Sequence, residues 1–352
     1  MTSDERAVIG GVDTHRDTHH AVALDERGRL LGDASFGTDP SGLRALLQWL
    51  RGFGVLTAVG VEGTGTYGAE LTRLLQAQGV PVAEVCRPNR RLRRLRGKSD
   101  PIDAEAAARA VLSGEADTVP KDRTGVVEAI RMLRVTRDGA VKARTAAANQ
   151  LRDLLVTAPA GIREPLRRLS TGRRVQACAR LRPDPDRLAD PAQAAKTALR
   201  HVAGRILALD TEIRALDTQL TGLVATAAPR TTALLGVSTD HAGQLLVTAG
   251  DNPDRLRSDA AFAHLCAAAP IPASSGRTQR HRLNHAGDRQ ANRALHLIAL
   301  SRMRWCPTTR AYVARRTAEG LSKRDIIRCL KRYLARKIYR TIRADLNTLH
   351  AT

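Results

Sequence analysis

Along the first third of the chain, apolar residues change period in an order that few architectures accept. Ala7–Thr14 is an apolar run, Thr18–Asp25 alternates, and Arg29–Gly37 follows a polar turn at Asp25-Glu26-Arg27-Gly28, so three strands form an antiparallel meander. Ser41 is placed to cap a helix through Leu43, Leu46, Leu47 and Leu50, and Val55–Val61 is the β-branched run of a buried parallel strand. A second helix from Tyr67 to Gln78 stops at Gly79, strand Val80–Val85 follows, and an alanine-rich helix runs from Pro101 to Leu112.

The resulting order, βββαβαβα, is the ribonuclease-H-like arrangement, a mixed sheet with helices on its faces, here assigned to residues 1–120. From about Val126 strand signals cease. Two long helical patterns flank a Pro-rich, charged break at Leu181–Pro191. In the second pattern Leu199, Val202, Ile206, Leu209, Ile213, Leu216, Leu220 and Leu223 alternate spacings of three and four, the seam of a left-handed coiled coil. The partner of that seam is either another copy of the chain or the first long helix, through Ile130, Leu133 and Leu151. Residues 121–232 therefore read as a helical coiled-coil region. Gly236 opens a mainly α third region, 233–352, with a Pro- and Ser-containing loop at Pro270–Gly276 and a basic helical end.

Two carboxylates close apolar runs of the first region. Asp13 follows Val8-Ile9-Gly10-Gly11-Val12 and Glu62 follows Val59-Gly60-Val61, which puts both at the carboxyl edges of neighbouring strands, where α/β sites form. Like charges at close range repel, so Mg²⁺ or Mn²⁺ is their natural partner. Asp100 and Asp103, three apart at a helix start, offer two further acids on one face and complete a four-acid set. Asp100 before Pro101 also reads as an N-cap, and Asp103 in the first turn suits the helix dipole. A histidine-rich metal site of His15, His19 and His20 is disfavoured, because alternation sends His19 and His20 to opposite faces. Gly63-Thr64-Gly65-Thr66-Tyr67-Gly68, with Glu84 after the next strand, matches a dinucleotide fingerprint, yet three strands precede it where the fingerprint follows the first. Close approach of a phosphate backbone to Glu62 is the better use of those glycines.

The formal charge of +22 has no folding rationale and points to nucleic acid. The charge is clustered. Seven basic residues and no acid lie between Arg87 and Lys98, with Arg90, Arg91, Arg93, Arg94, Arg96 and Lys98 as phosphate-contact candidates. Ser274 to Arg310 carries eight Arg against Asp288 alone, among them Arg277, Arg280, Arg282, Arg289 and Arg293, and Arg310 to Arg343 holds twelve basic residues. Nine aromatic residues in the whole chain give few stacking platforms, so duplex or structured nucleic acid fits better than a stacked single strand. Five scattered cysteines, Cys86, Cys178, Cys266, Cys306 and Cys329, form neither a disulfide framework nor a zinc cluster. With no membrane-length apolar run and a polar start at Met1–Arg6, a cytoplasmic, nucleoid-associated protein without a membrane partner is expected.

Gly11-Val12-Asp13-Thr14-His15, Gly60-Val61-Glu62-Gly63-Thr64-Gly65 and Lys98-Ser99-Asp100-Pro101-Ile102-Asp103-Ala104 resemble the three blocks of the RuvC-like DEDD domain of IS110-family insertion-element transposases, relatives of the Piv-type DNA invertases. The resemblance implies that Asp13, Glu62, Asp100 and Asp103 are the catalytic metal-site acids. Pro270-Ile271-Pro272-Ala273-Ser274-Ser275-Gly276 and Asn284-His285-Ala286-Gly287-Asp288-Arg289 are similar to the family's C-terminal transposase domain, which carries a nucleophilic serine. The pattern implies Ser275, immediately before the glycine, with Ser274 adjacent. Leu235–Ala242 resembles the helix-hairpin-helix-like segment of relatives, with Ser238 and Thr239 in place of a glycine and a proline. The family further implies DNA strand cleavage and exchange on element-end and target DNA, an element-encoded guide RNA and a homo-oligomer, dimer or tetramer. Two other readings fit the residues: a RuvC-like structure-selective endonuclease using water, and a non-catalytic basic nucleic-acid-binding protein.

Overall fold

Strand β1 (Ala7–Thr14) owes its central place to being apolar on both faces, which leaves no side for solvent. In the computed structural model, which describes residues 6–85, 99–278 and 280–351, it lies within a five-stranded sheet. Strands β2 (Thr18–Asp25) and β3 (Leu30–Gly37) pair antiparallel on one side of it; β4 (Val55–Glu62) and β5 (Val82–Val85) pair parallel on the other, giving the order β3-β2-β1-β4-β5. This mixed sheet is consistent with the ribonuclease-H-like arrangement. Helix α1 (Pro40–Arg51) starts one residue before the expected cap: Asp39 accepts the amides of Ser41 and Gly42, and Pro40 takes the first turn.

Alternation along β1 and β4 divides their residues between two cores. Val8, Val12, Val59 and Val61 pack under α1 and α2 (Ala69–Ala77) with Leu43, Leu46, Leu50, Leu71 and Leu75. Ile9 joins Val22 and Leu24 on the opposite face, against Ala104 and Ala108 of α3 (Asp100–Leu112). Gly11 and Gly60 are register partners across β1 and β4. A methyl on Gly11 would lie 2.1 Å from the Ala104 carbonyl oxygen, and one on Gly60 would lie 2.5 Å from that of Ala107. The helix backbone therefore rests on two bare Cα positions, with Ala104, Ala107 and Ala108 where it comes closest.

The chain forms two compact units, Met1–Gly125 with Ala249–Ala261, and Val126–Thr248 with Phe262–Thr352. The return of Ala249–Ala261 to the first unit cuts into the region drawn at 233–352. Backbone-directed bonds hold it there. Arg255 donates to the carbonyls of Val119 and Ala249, Asn252 to that of Pro120, and Asp251 accepts the Thr124 amide at 2.6 Å.

In the second unit α4 (Gly125–Thr157) and α7 (Pro191–Ala227) run antiparallel. Arg144 pairs with Asp210 at 2.8 Å, Arg137 pairs with Asp217, and Leu151 and Leu155 share a core with Leu199, Val202 and Ile206. Helices α5 (Ala160–Arg167) and α6 (Thr171–Ala179) close that core with Ile162, Leu166, Val175 and Cys178. The seam residues Leu199, Val202, Ile206, Leu216 and Leu220 are buried within this chain, while Leu209, Ile213 and Leu223 are half-buried. Further on come α8 (Pro229–Thr232), α9 (Thr239–Ala249), α10 (Asp259–Leu265), a two-residue-strand hairpin β6–β7 (Ile271–Pro272, His281–Arg282), α11 (Arg289–Trp305), α12 (Pro307–Ala318) and α13 (Lys323–Ala351). The expectation that strands end near Val126 misses the hairpin, whose strands are too short to show a period. Buried Asp345 of α13 accepts the Arg230 and Thr231 amides at 3.1 and 3.0 Å and so caps α8. Among the described residues no helix is long and apolar enough to cross a membrane.

The glycine seat makes a paired prediction. Gly11→Ala drives a methyl into helix backbone and costs about 3 kcal/mol or more. Gly139→Ala, inside α4 with nothing within 4 Å of the new methyl, stabilises by roughly 0.5–1 kcal/mol. Thermal or denaturant unfolding of the two variants checks both signs.

Candidate metal centre and serine hairpin

The glycine seat fixes where the acids fall. Asp13 follows Gly11 by two residues on β1 and Glu62 follows Gly60 by two on β4, so both lie on the face that α3 covers. The first turn of α3 carries Asp100 and Asp103. Asp103 is buried and its amide donates to the Ser99 carbonyl at 3.0 Å. Ser99, not Asp100, occupies the N-cap position in extended conformation. Asp100 is thus inside the helix, and its carboxylate is turned to His15 rather than to the helix amides.

His15 is the residue that the sequence reading set aside. Its Nε2 lies 3.1 Å from Asp13 Oδ2 and 3.3 Å from Asp100 Oδ1. Among the described residues these three form the group whose ligand atoms all lie within 4.8 Å of one another; Glu62 and Asp103 flank it without belonging to it. The other two histidines do diverge. His19 is buried, and His20 bonds Ser35 and Asp33 at 2.9 and 3.0 Å. The signal for His15 was its spacing: it lies two residues past Asp13, immediately after the end of β1.

Burial raises the pKa of Asp13 from its ordinary value; His15 opposes that rise, while the charges of Asp103 and Asp100 add to it. The buried carboxylate, with two acids nearby and one imidazole, makes a site short of positive charge. Oxygen donors predominate in it, and they suit a hard divalent cation. Asp13 is nearly covered, whereas the side chains of His15 and Asp100 are about half exposed, so the site opens to solvent on the α3 side.

The glycine-rich turn supports this edge. Thr14 donates to the Glu62 carbonyl at 2.7 Å, Gly63 takes φ +72°, and a side chain on Gly68 would press on Thr14 and Val61. Glu84 accepts from the Thr64 hydroxyl at 3.0 Å and faces Arg255 at 3.8 Å, a structural use for the acid of the fingerprint-like pattern.

In the second unit the two serines of the β6–β7 loop separate by their bonding. The Ser274 hydroxyl is tied to Arg280, accepting its amide at 3.2 Å and meeting its carbonyl at 3.4 Å. Ser275 exchanges backbone bonds with Thr278 at 3.1 Å in each direction, and its exposed hydroxyl has no hydrogen bond among the described residues. Gly276 at φ +54° turns the chain after it. Arg277, Arg280, Arg282, Arg289 and Arg293 are all exposed. The candidates Arg90, Arg91, Arg93, Arg94, Arg96 and Lys98 lie outside the described residues. In the helix-hairpin-helix-like segment Gly236 keeps φ +85°, and the Ser238 hydroxyl accepts the His241 amide at the start of α9.

A search of curated proteins returns no match to the chain. Two family models do match it. One, the DEDD-type IS110 model described as transposase, covers residues 10–158, and one described as the transposase IS116/IS110/IS902 family covers residues 230–314. The first spans the sheet except for the first residues of β1, the four acids and all of α4; the second spans the serine hairpin and α11. DEDD-type transposase domains point to use of a divalent metal. The chain belongs to the IS110 family of insertion-sequence transposases and is a DNA-processing enzyme.

Proposed function

We propose that the chain cleaves and rejoins DNA strands at the ends of its element through a serine–phosphate intermediate, assisted by a divalent cation held by Asp13, Glu62, Asp100 and Asp103. The observation that carries this reading is the juxtaposition of Asp13, His15 and Asp100, with Asp103 close enough to act on Asp13, at one sheet edge. Bound there, Mg²⁺ or Mn²⁺ would supply positive charge to a phosphodiester oxygen. The acids hold the cation, and His15 steadies Asp13 and Asp100 through the hydrogen-bonding capacity of its ring.

Ser275 is the nucleophile in this reading, supported by the commitment of the Ser274 hydroxyl to the hairpin backbone and the exposure of Ser275. Its hydroxyl gives up a proton as the oxygen bonds to phosphorus, one phosphorus–oxygen bond of the strand breaks, and the departing oxygen takes a proton to become a free hydroxyl. Attack by another strand's hydroxyl on the phosphoserine reverses those bond changes and restores the serine. The number of phosphodiester links is conserved, so no water or external energy source is consumed. Arg277, Arg280 and Arg282 on the same hairpin stabilise the charge that builds on the phosphoryl oxygens. An element-encoded guide RNA chooses sequence by base pairing, the exposed arginines hold backbones without reading bases, and a dimer or tetramer brings the strands together.

Two outcomes test the proposal. Labelled element-end DNA incubated with protein, guide RNA and Mg²⁺ forms a covalent protein–DNA adduct that is lost in Ser275→Ala and retained in Ser274→Ala; cleavage without any adduct would instead identify a water-using nuclease. The raised pKa of Asp13 fixes the second. An acid whose pKa is higher in the fold binds a proton on folding, and the stability this contributes is lost as pH rises through the folded value. Above that value the ionised carboxylate opposes folding, so there Asp13→Asn raises the Tm of metal-free protein, and it abolishes the Tm increase produced by Mn²⁺. A lowered Tm, or an unchanged Mn²⁺ response, contradicts the assignment.

A further inference from the structure

Beneath the serine hairpin lies a cleft of about 570 Å³, floored by residues 267–270 and walled by β7 on one side and α13 on the other. Its size is that of a site for a small organic group. Five cations line it, Arg282, Arg328, Lys331, Arg332 and Arg336, against the single acid Asp325. That acid is already engaged, accepting from the Ser322 hydroxyl and from Arg328. Positions 328, 332 and 336 succeed one another by four, so their guanidinium stems form a row along one face of α13, about 6 Å per step. Lys331 is half-buried beside that row, and its ammonium donates to the neutral Asn292 Oδ1 at 2.9 Å; burial, and next the charge of Arg328, lower its pKa. A desolvated ammonium paired only with an amide favours an incoming anion.

Tyr333 supplies a different chemistry at the same place. Its side chain is 55% exposed in the cleft, while Tyr312 meets it edge to face at 5.7 Å and holds the ring. An exposed, braced aromatic ring beside a row of guanidinium groups, above an apolar floor, suits a nucleotide outside a base stack: phosphate oxygens meet the cations and the base lies on the ring. Paired duplex offers no free base face, so the ring contributes only when the base is unstacked. Arg282 lines the cleft and pairs with Ile271 at the base of the serine hairpin, so a strand bound in the cleft lies at the foot of that hairpin.

We infer that this cleft seats an unstacked nucleotide of the DNA strand being cleaved, with Arg328, Arg332 and Arg336 on its phosphates and Tyr333 on its base, so that α13 positions the strand for the hairpin. The inference rests on the proposed serine chemistry for its purpose but not for its binding.

Photocrosslinking the full-length protein to single-stranded DNA of about 12 nucleotides, with 5-iododeoxyuridine placed at successive positions from the element end, tests it. Adducts map to Tyr333 from one or two positions. Tyr333→Ala weakens single-strand binding roughly tenfold with duplex binding little changed, and Arg332→Ala lowers the salt slope for the single strand by about 0.7. Tyr333 is exposed, and an unchanged Tm confirms that its truncation leaves the fold intact. Crosslinks that map away from the cleft, or single-strand and duplex binding that weaken equally in Tyr333→Ala, overturn the inference. Ser275→Ala keeps the crosslink. Crosslinking at Tyr333 without any serine adduct in the unsubstituted protein therefore refutes the serine chemistry alone, and an adduct without cleft crosslinking refutes the cleft alone.

Discussion

Backbone contact between α3 and the sheet, made across Gly11 and Gly60, governs the chemistry of the first unit. Because these two positions are partners in register, a helix can rest on them only if both lack side chains, and it must itself present alanines. The contact leaves little freedom to slide. Ala104 sits over Gly11 and Ala107 over Gly60, and the first turn of α3 consequently reaches the carboxyl edge of β1. Asp13 and Glu62, each two residues beyond its glycine, arrive there from the strands. The same small residues that permit close packing thus bring the first turn of α3, with Asp100, to Asp13 and His15.

Such concentration of negative charge opposes folding. Asp13 is buried with Asp100 and Asp103 near it, and only the His15 imidazole among the described group offsets them, which is why its pKa rises. A stable fold carrying a destabilising carboxylate is the pattern expected of a site shaped for a cation rather than for stability. The serine hairpin follows a different logic. It is a small exposed platform in the second unit, anchored by the Ser274 hydroxyl and by paired backbone bonds, which leave the Ser275 hydroxyl available.

Much of this was legible in the sequence because hydrophobic period is a direct record of burial. The order of strands and helices through Leu112 followed from it, and Asp13 and Glu62 stood out by ending apolar runs. The role of Asp100 was ambiguous, since Asp-Pro also reads as a cap; the glycine seat that turns it toward His15 is a tertiary contact with no local signature. His15 was hidden in a group with His19 and His20, although its two-residue spacing from Asp13 was visible. Of the two partners open for the long seam, the antiparallel packing of α4 within the chain shows through cross-helix pairs such as Arg144 with Asp210, which no local period announces. Least legible was Ala249–Ala261, whose attachment runs through carbonyl and amide groups that every residue carries. The family pattern already implied Ser275 by its place before the glycine, but the bonding that separates it from Ser274 exists only in three dimensions.

The seat of α3 on the sheet, as we propose, assembles a divalent-cation site from Asp13, Glu62, Asp100 and Asp103. Anomalous scattering from crystals of the full chain grown with Mn²⁺ measures this directly. A manganese peak is expected at the carboxyl edge of β1 and β4, within coordination distance of the Asp13 carboxylate and of at least one acid from the first turn of α3. A fully occupied peak elsewhere, or none at that edge at saturating Mn²⁺, would contradict it.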